Sequence, residues 1–108
     1  MTVDSSAEDV SNIATGSALL VNAVGLHARP SVKLTQLAKS FSATVSLATS
    51  SDGPWVDAKS PVKIMRVKAP KGTTLYFQAL GGDSAAAVAA LTDLVNRRFD
   101  ETEEEGHG

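Results

Sequence analysis

The sequence predicts an α+β domain, with one antiparallel sheet of four strands, three helices on one of its faces, and the order βαββαβα. Three observations lead there. Residues 43–49 and 73–80 alternate apolar and polar side chains as half-buried strands do, residues 28–41 and 84–99 repeat apolar side chains at helical spacing, and turn-forming Gly and Pro separate these segments. No internal repeat is evident.

Residues 1–17 hold Ser, Ala, Asp and Thr without a sustained period and read as an acidic, disordered lead. The folded domain is expected over 18–99, with an acidic tail over 100–108. Ala18 to Asn22 is the first apolar strand segment. A helix follows from Ala28 to Phe41, with Leu34, Leu37, Ala38 and Phe41 as one buried stripe. Val45 and Leu47 alternate with Thr44 and Ser46 in the second strand. Asp52-Gly53-Pro54 turns the chain into a third strand at Trp55 to Ala58. Ser60-Pro61 supplies an N-cap and a first-turn proline for a short helix through Val67. Leu75, Phe77 and Ala79 oppose Tyr76 and Gln78 in the fourth strand, and Gly81-Gly82 ends it. Asp83 is expected to cap the last helix, whose Val88, Leu91, Val95 and Phe99 recur on one face.

Composition narrows the function. The chain has 108 residues, 43% of them hydrophobic, and no apolar run near the length of a membrane span. It carries no signal-peptide pattern, so the cytoplasm is the expected compartment. There are no cysteines, which removes disulfides and thiolate sites, and two histidines without paired spacing argue against a metal site. Net charge is −2, but the charges are segregated. All 10 Lys and Arg lie within 18–99, leaving that region at +6, while the two ends hold −8. A basic core favours acidic partners. Nucleic acid is not expected, because Arg29, Lys33 and Lys39 have no interleaved aromatic residues.

Gly25-Leu26-His27-Ala28-Arg29-Pro30 places the one interior histidine at a helix start, with an arginine two residues on. A helix start offers backbone N–H groups and the positive end of the macrodipole to an anion. Pro30 fits there because the first turn has no intrahelical N–H bonds to lose. A neutral imidazole is a competent nucleophile near pH 7, and a phosphoryl group on it would face the N–H groups of Ala28 and Arg29 and the guanidinium of Arg29. A capping or surface histidine would look the same at this level.

The GLHARP run at 25–30, the Asp57-Ala58-Lys59-Ser60 run and the alanine-rich segment from Ser84 to Phe99 together resemble the histidine phosphocarrier (HPr) family of the bacterial phosphoenolpyruvate-dependent phosphotransferase system. The resemblance covers about Ala18 to Phe99 and implies an open-faced β-sandwich. It implies that enzyme I passes a phosphoryl group to Nδ1 of His27, that an enzyme IIA histidine takes it on, that Arg29 stabilises it, and that no cofactor is needed. Such a protein would be a monomeric, stoichiometric carrier rather than an enzyme. Lys33, Lys39, Pro61, Val62 and Met65 are expected to form the partner surface. Ser60 matches the serine that a dedicated kinase phosphorylates in some members, beside its capping role. Val24 departs from the Asn or Ser that many members hold three residues before the histidine. Asn22 is assigned to the strand and given no capping role. A nitrogen-branch carrier or one dedicated to dihydroxyacetone kinase are alternative readings, as is a non-catalytic binding module with the same fold.

Overall fold

The computed structural model describes residues 12–100. Along them run β1 (Ile13–Leu19), α1 (Ala28–Lys39), β2 (Thr44–Ala48), β3 (Val56–Asp57), α2 (Pro61–Val67), β4 (Thr74–Leu80) and α3 (Ser84–Asn96), closed by a 3-10 turn at Arg98–Asp100. The four strands form one antiparallel sheet in the order β1-β4-β2-β3. The helices cover one face, over a core of fully buried Leu20, Leu34, Leu47, Leu75, Phe77 and Leu91. The partner pairs Thr15–Gln78, Ser17–Tyr76 and Thr44–Leu80 share the opposite, open face.

The first strand begins at Ile13, ahead of the expected Ala18, and ends before Asn22. It is an edge strand with one face in solvent, so it needs no bulky apolar run. Its inward positions are Ala14, Gly16 and Ala18. A Cβ on Gly16 would lie 2.7 Å from Val88 Cγ1, so small residues here let α3 lie close against the strand. The earlier part of the expected disordered lead lies outside the described residues.

Both long helices stop short of their expected ends, for physical reasons visible at each terminus. At Ser40 the α1 ladder closes, with Ser40 Oγ donating to the Leu37 carbonyl at 2.6 Å. Phe41 then packs half-buried from the following turn. After Asn96, Arg98, Phe99 and Asp100 all take left-handed φ values near +60°, which turns the chain back and buries Phe99 completely. The apolar stripe foresaw the burial of Phe99 and mistook the backbone that achieves it.

Asp83 occupies the N-cap position of α3, yet its side chain makes no capping bond. Its carboxylate instead accepts from the Ser42 and Ala43 amides, both at 2.8 Å, and ties the start of α3 to the α1–β2 turn. Ser60 caps as expected, its Oγ accepting from the Lys63 amide at 3.3 Å.

Candidate functional site

His27 is the N-cap residue of α1, in extended conformation. Its carbonyl accepts the first ladder bond, from the Ser31 amide at 3.0 Å. Its ring makes no capping hydrogen bond and is exposed. The imidazole is therefore not consumed in holding the helix. The amides of Ala28 and Arg29 precede the first ladder bond, and buried Pro30 seats the first turn without needing a partner for an N–H.

The loop in front of the histidine is fixed by three contacts. Asn22, buried and outside β1, donates from Nδ2 to the Gly25 carbonyl at 2.8 Å. Gly25 adopts φ +70°, and a Cβ there would sit 2.6 Å from the Ala69 carbonyl. The Leu26 amide donates to that same carbonyl at 2.8 Å. Asn22 thus does organise the loop, contrary to its assignment to the strand, while Val24 stays exposed.

Those bonds bring the connection after α2 beside His27. Val24, Leu26, His27, Ala28, Met65, Lys68, Ala69 and Pro70 line a shallow depression of about 410 Å³. Met65 thus lies beside His27 in this depression. Lys68 was not anticipated. It ends α2 with φ +55°, exposed, with its amide donating to the Met65 carbonyl at 3.2 Å. A lysine just past the expected helix end at Val67, before Ala69-Pro70, was the available signal.

The remaining site residues are spread along two helices. Val62 is exposed and Pro61 half-buried on the first turn of α2. Lys33 donates from Nζ to the Phe99 carbonyl at 2.6 Å, which gives it a structural task. Lys39 is exposed twelve residues beyond His27, about 18 Å along α1. Among the described residues there is no cluster of metal-ligating side chains, and no helix is long and apolar enough to cross a membrane.

Residues 15–97 match the family described as "PTS HPr component phosphorylation site". This chain belongs to the HPr family. The phosphocarrier protein HPr of Cupriavidus necator is 43% identical over 84 residues, 78% of this chain and 92% of the relative. The phosphocarrier protein NPr of Escherichia coli is 34% identical over 82 residues, 76% of this chain and 90% of the relative. Among solved structures, HPr from Thermoanaerobacter tengcongensis superposes with a TM-score of 0.75 at 32% identity, over 82% of this chain and 98% of that one. The open-faced β-sandwich is shown by this likeness, and with it the role of a phosphocarrier in the phosphotransferase system.

Proposed function

We propose that His27 carries the phosphoryl group, receiving it from phosphorylated enzyme I and giving it to an enzyme IIA histidine. The observation that carries this reading is the exposed, uncommitted ring of His27 at the head of α1. Attack by Nδ1 forms the new N–P bond as the donor's N–P bond breaks, and the proton given up by the His27 ring passes through solvent to the donor histidine, which leaves as a neutral imidazole. The amides of Ala28 and Arg29, the Arg29 guanidinium and the positive helix end face the phosphoryl oxygens. These are moderate donors, suited to a group that must leave again. The domain acts as a stoichiometric, cytoplasmic carrier and needs no cofactor, since its partners supply the reactive phosphate.

The general HPr branch is favoured over the nitrogen branch, because the HPr relative is 43% identical and the NPr relative 34%. Partners dock on Met65, at the His27 depression, and on Pro61 and Val62 at the start of the same helix, with Lys68 and Lys39 as flanking cations. Phosphorylation of Ser60 would place charge at the start of that same helix.

Incubation with phosphoenolpyruvate and enzyme I, followed by mass analysis, tests the assignment. One acid-labile, alkali-stable phosphate is expected on His27. An acid-labile phosphate on a His27→Ala protein would overturn it.

A further inference from the structure

We infer that the acidic segment following Asp100 docks on the N-terminal half of α1 and competes there with the phosphorylated partner. The family match ends at residue 97, so this segment lies outside it. The inference rests on the reading of His27 as the phosphoryl site.

The exit point of the chain is fixed by structure. Left-handed φ values at Arg98, Phe99 and Asp100 turn the backbone toward α1, and buried Phe99 holds it there. Lys33 Nζ clamps the Phe99 carbonyl at 2.6 Å. The Asp100 carboxyl is held below its ordinary value, first by the Arg97 hydrogen bond and charge, and also by Lys33. Lys33 is six residues along α1 from His27, a rise of about 9 Å.

From Asp100 to Glu105 is five residues, an extended reach of about 17 Å. Four of the five are Glu: 101, 103, 104 and 105. The surface around His27 is of opposite sign. His27 stands at the positive end of α1 with Arg29 two residues on, Lys68 lines the same depression, and no carboxylate does. Four of the five acidic side chains of the described residues are held elsewhere. Asp83 engages the Ser42 and Ala43 amides at the other end of α1, Asp57 binds the Lys59 amide, and Asp93 and Asp100 pair with Arg97. A glutamate from the segment can therefore occupy the place of a phosphoryl oxygen without like-charge repulsion.

The chain has no cysteine, so Gly106→Cys gives a single attachment point for a nitroxide on the full-length protein. At low ionic strength the amide signals of Ala28, Arg29, Ser31 and Lys68 should broaden selectively, while Ser46 and Gln78 on the open sheet face stay sharp. The broadening should vanish at high salt, and also when Glu101→Gln, Glu103→Gln, Glu104→Gln and Glu105→Gln are combined. Absence of selective broadening, or broadening that survives neutralisation, overturns the docking. These spectra involve no phosphoryl transfer, so they separate this inference from the assignment of His27. With enzyme I, the neutralised protein should accept phosphate several-fold faster than the parent at low salt and equally fast at high salt. Equal rates at low salt overturn the competition.

Discussion

Asn22 Nδ2 donates to the Gly25 carbonyl at 2.8 Å, closing the loop that delivers His27 to the head of α1. Both residues are buried, so this contact fixes where the helix starts as well as how the loop turns. Asn22→Ala should cost about 1–2 kcal/mol, since it removes a buried hydrogen bond and leaves the carbonyl without that donor. Urea unfolding measures the loss, and phosphoryl acceptance should fall with it. An Asn22→Ala protein with parental stability would show that the loop holds its shape without this bond.

Gly25 and Gly72 both have positive φ but differ in what surrounds them. A Cβ at Gly25 meets the Ala69 carbonyl, Pro70 Cα and the Lys71 amide, whereas nothing lies within 4 Å at Gly72. Gly72→Ala should therefore cost about 1 kcal/mol, the backbone penalty alone. Gly25→Ala adds a backbone collision and should cost about 3 kcal/mol. Equal losses for the two variants would remove the role given to the Ala69 contact.

Residue periodicity exposed much of this architecture and missed its long-range ties. Leu34, Ala38, Val88, Leu91 and Val95 were legible because helical burial repeats locally. The first strand was displaced because Ala14, Gly16 and Ala18 face a close-packed helix, where fit depends on small size rather than hydrophobicity. His27 and Arg29 stood out as adjacent chemistry at a helix start. Asn22 and Lys68 did not, because their part in the site depends on Gly25 and Ala69 meeting across the fold. Asp83 was misread for a related reason: a capping residue type reveals that it accepts from amides, but not which amides.

Asp83 also gives the stability curve an acid limb. The backbone bond from Ser42, followed by the bond from Ala43 and the charge of Lys59, holds its carboxyl below the ordinary value of 3.8 despite partial burial. Because the folded value is the lower one, its contribution is present in full above the ordinary value. It is lost as pH falls through that value toward the folded one. Asp83→Asn should thus be less stable than the parent at pH 7, with the difference narrowing below about pH 4. Unfolding midpoints measured from pH 7 to 2.5 that run parallel for the two proteins would exclude this linkage.

Ser60 separates capping from regulation. Ser60→Ala loses the bond from the Lys63 amide and should cost about 1 kcal/mol. Ser60→Asp and Ser60→Asn both retain a cap, but only aspartate adds charge beside Val62 and Met65. The aspartate variant is expected to accept phosphate from enzyme I more slowly than the asparagine variant at similar stability. Equal acceptance by the two would leave Ser60 with a structural role alone.

Arg29 separates chemistry from folding in the same way. It is exposed in the first turn of α1, whose buried side is formed by Pro30, Ser31 and Leu34. Arg29→Ala should therefore lose no more than the about 1 kcal/mol that an exposed contact is worth. Loss of a charge-assisted contact to the phosphoryl group corresponds to about 1.5–3 kcal/mol, or a fall in transfer rate on the order of 10- to 100-fold. Arg29→Lys keeps the charge without the bidentate fork and should recover only part of that rate. Rapid-quench measurement of acceptance from phosphorylated enzyme I reads all three proteins on one scale. If alanine transfers as fast as arginine, the amides and the helix end suffice to stabilise the phosphoryl group. If lysine restores the full rate, charge rather than geometry is what the site draws from position 29.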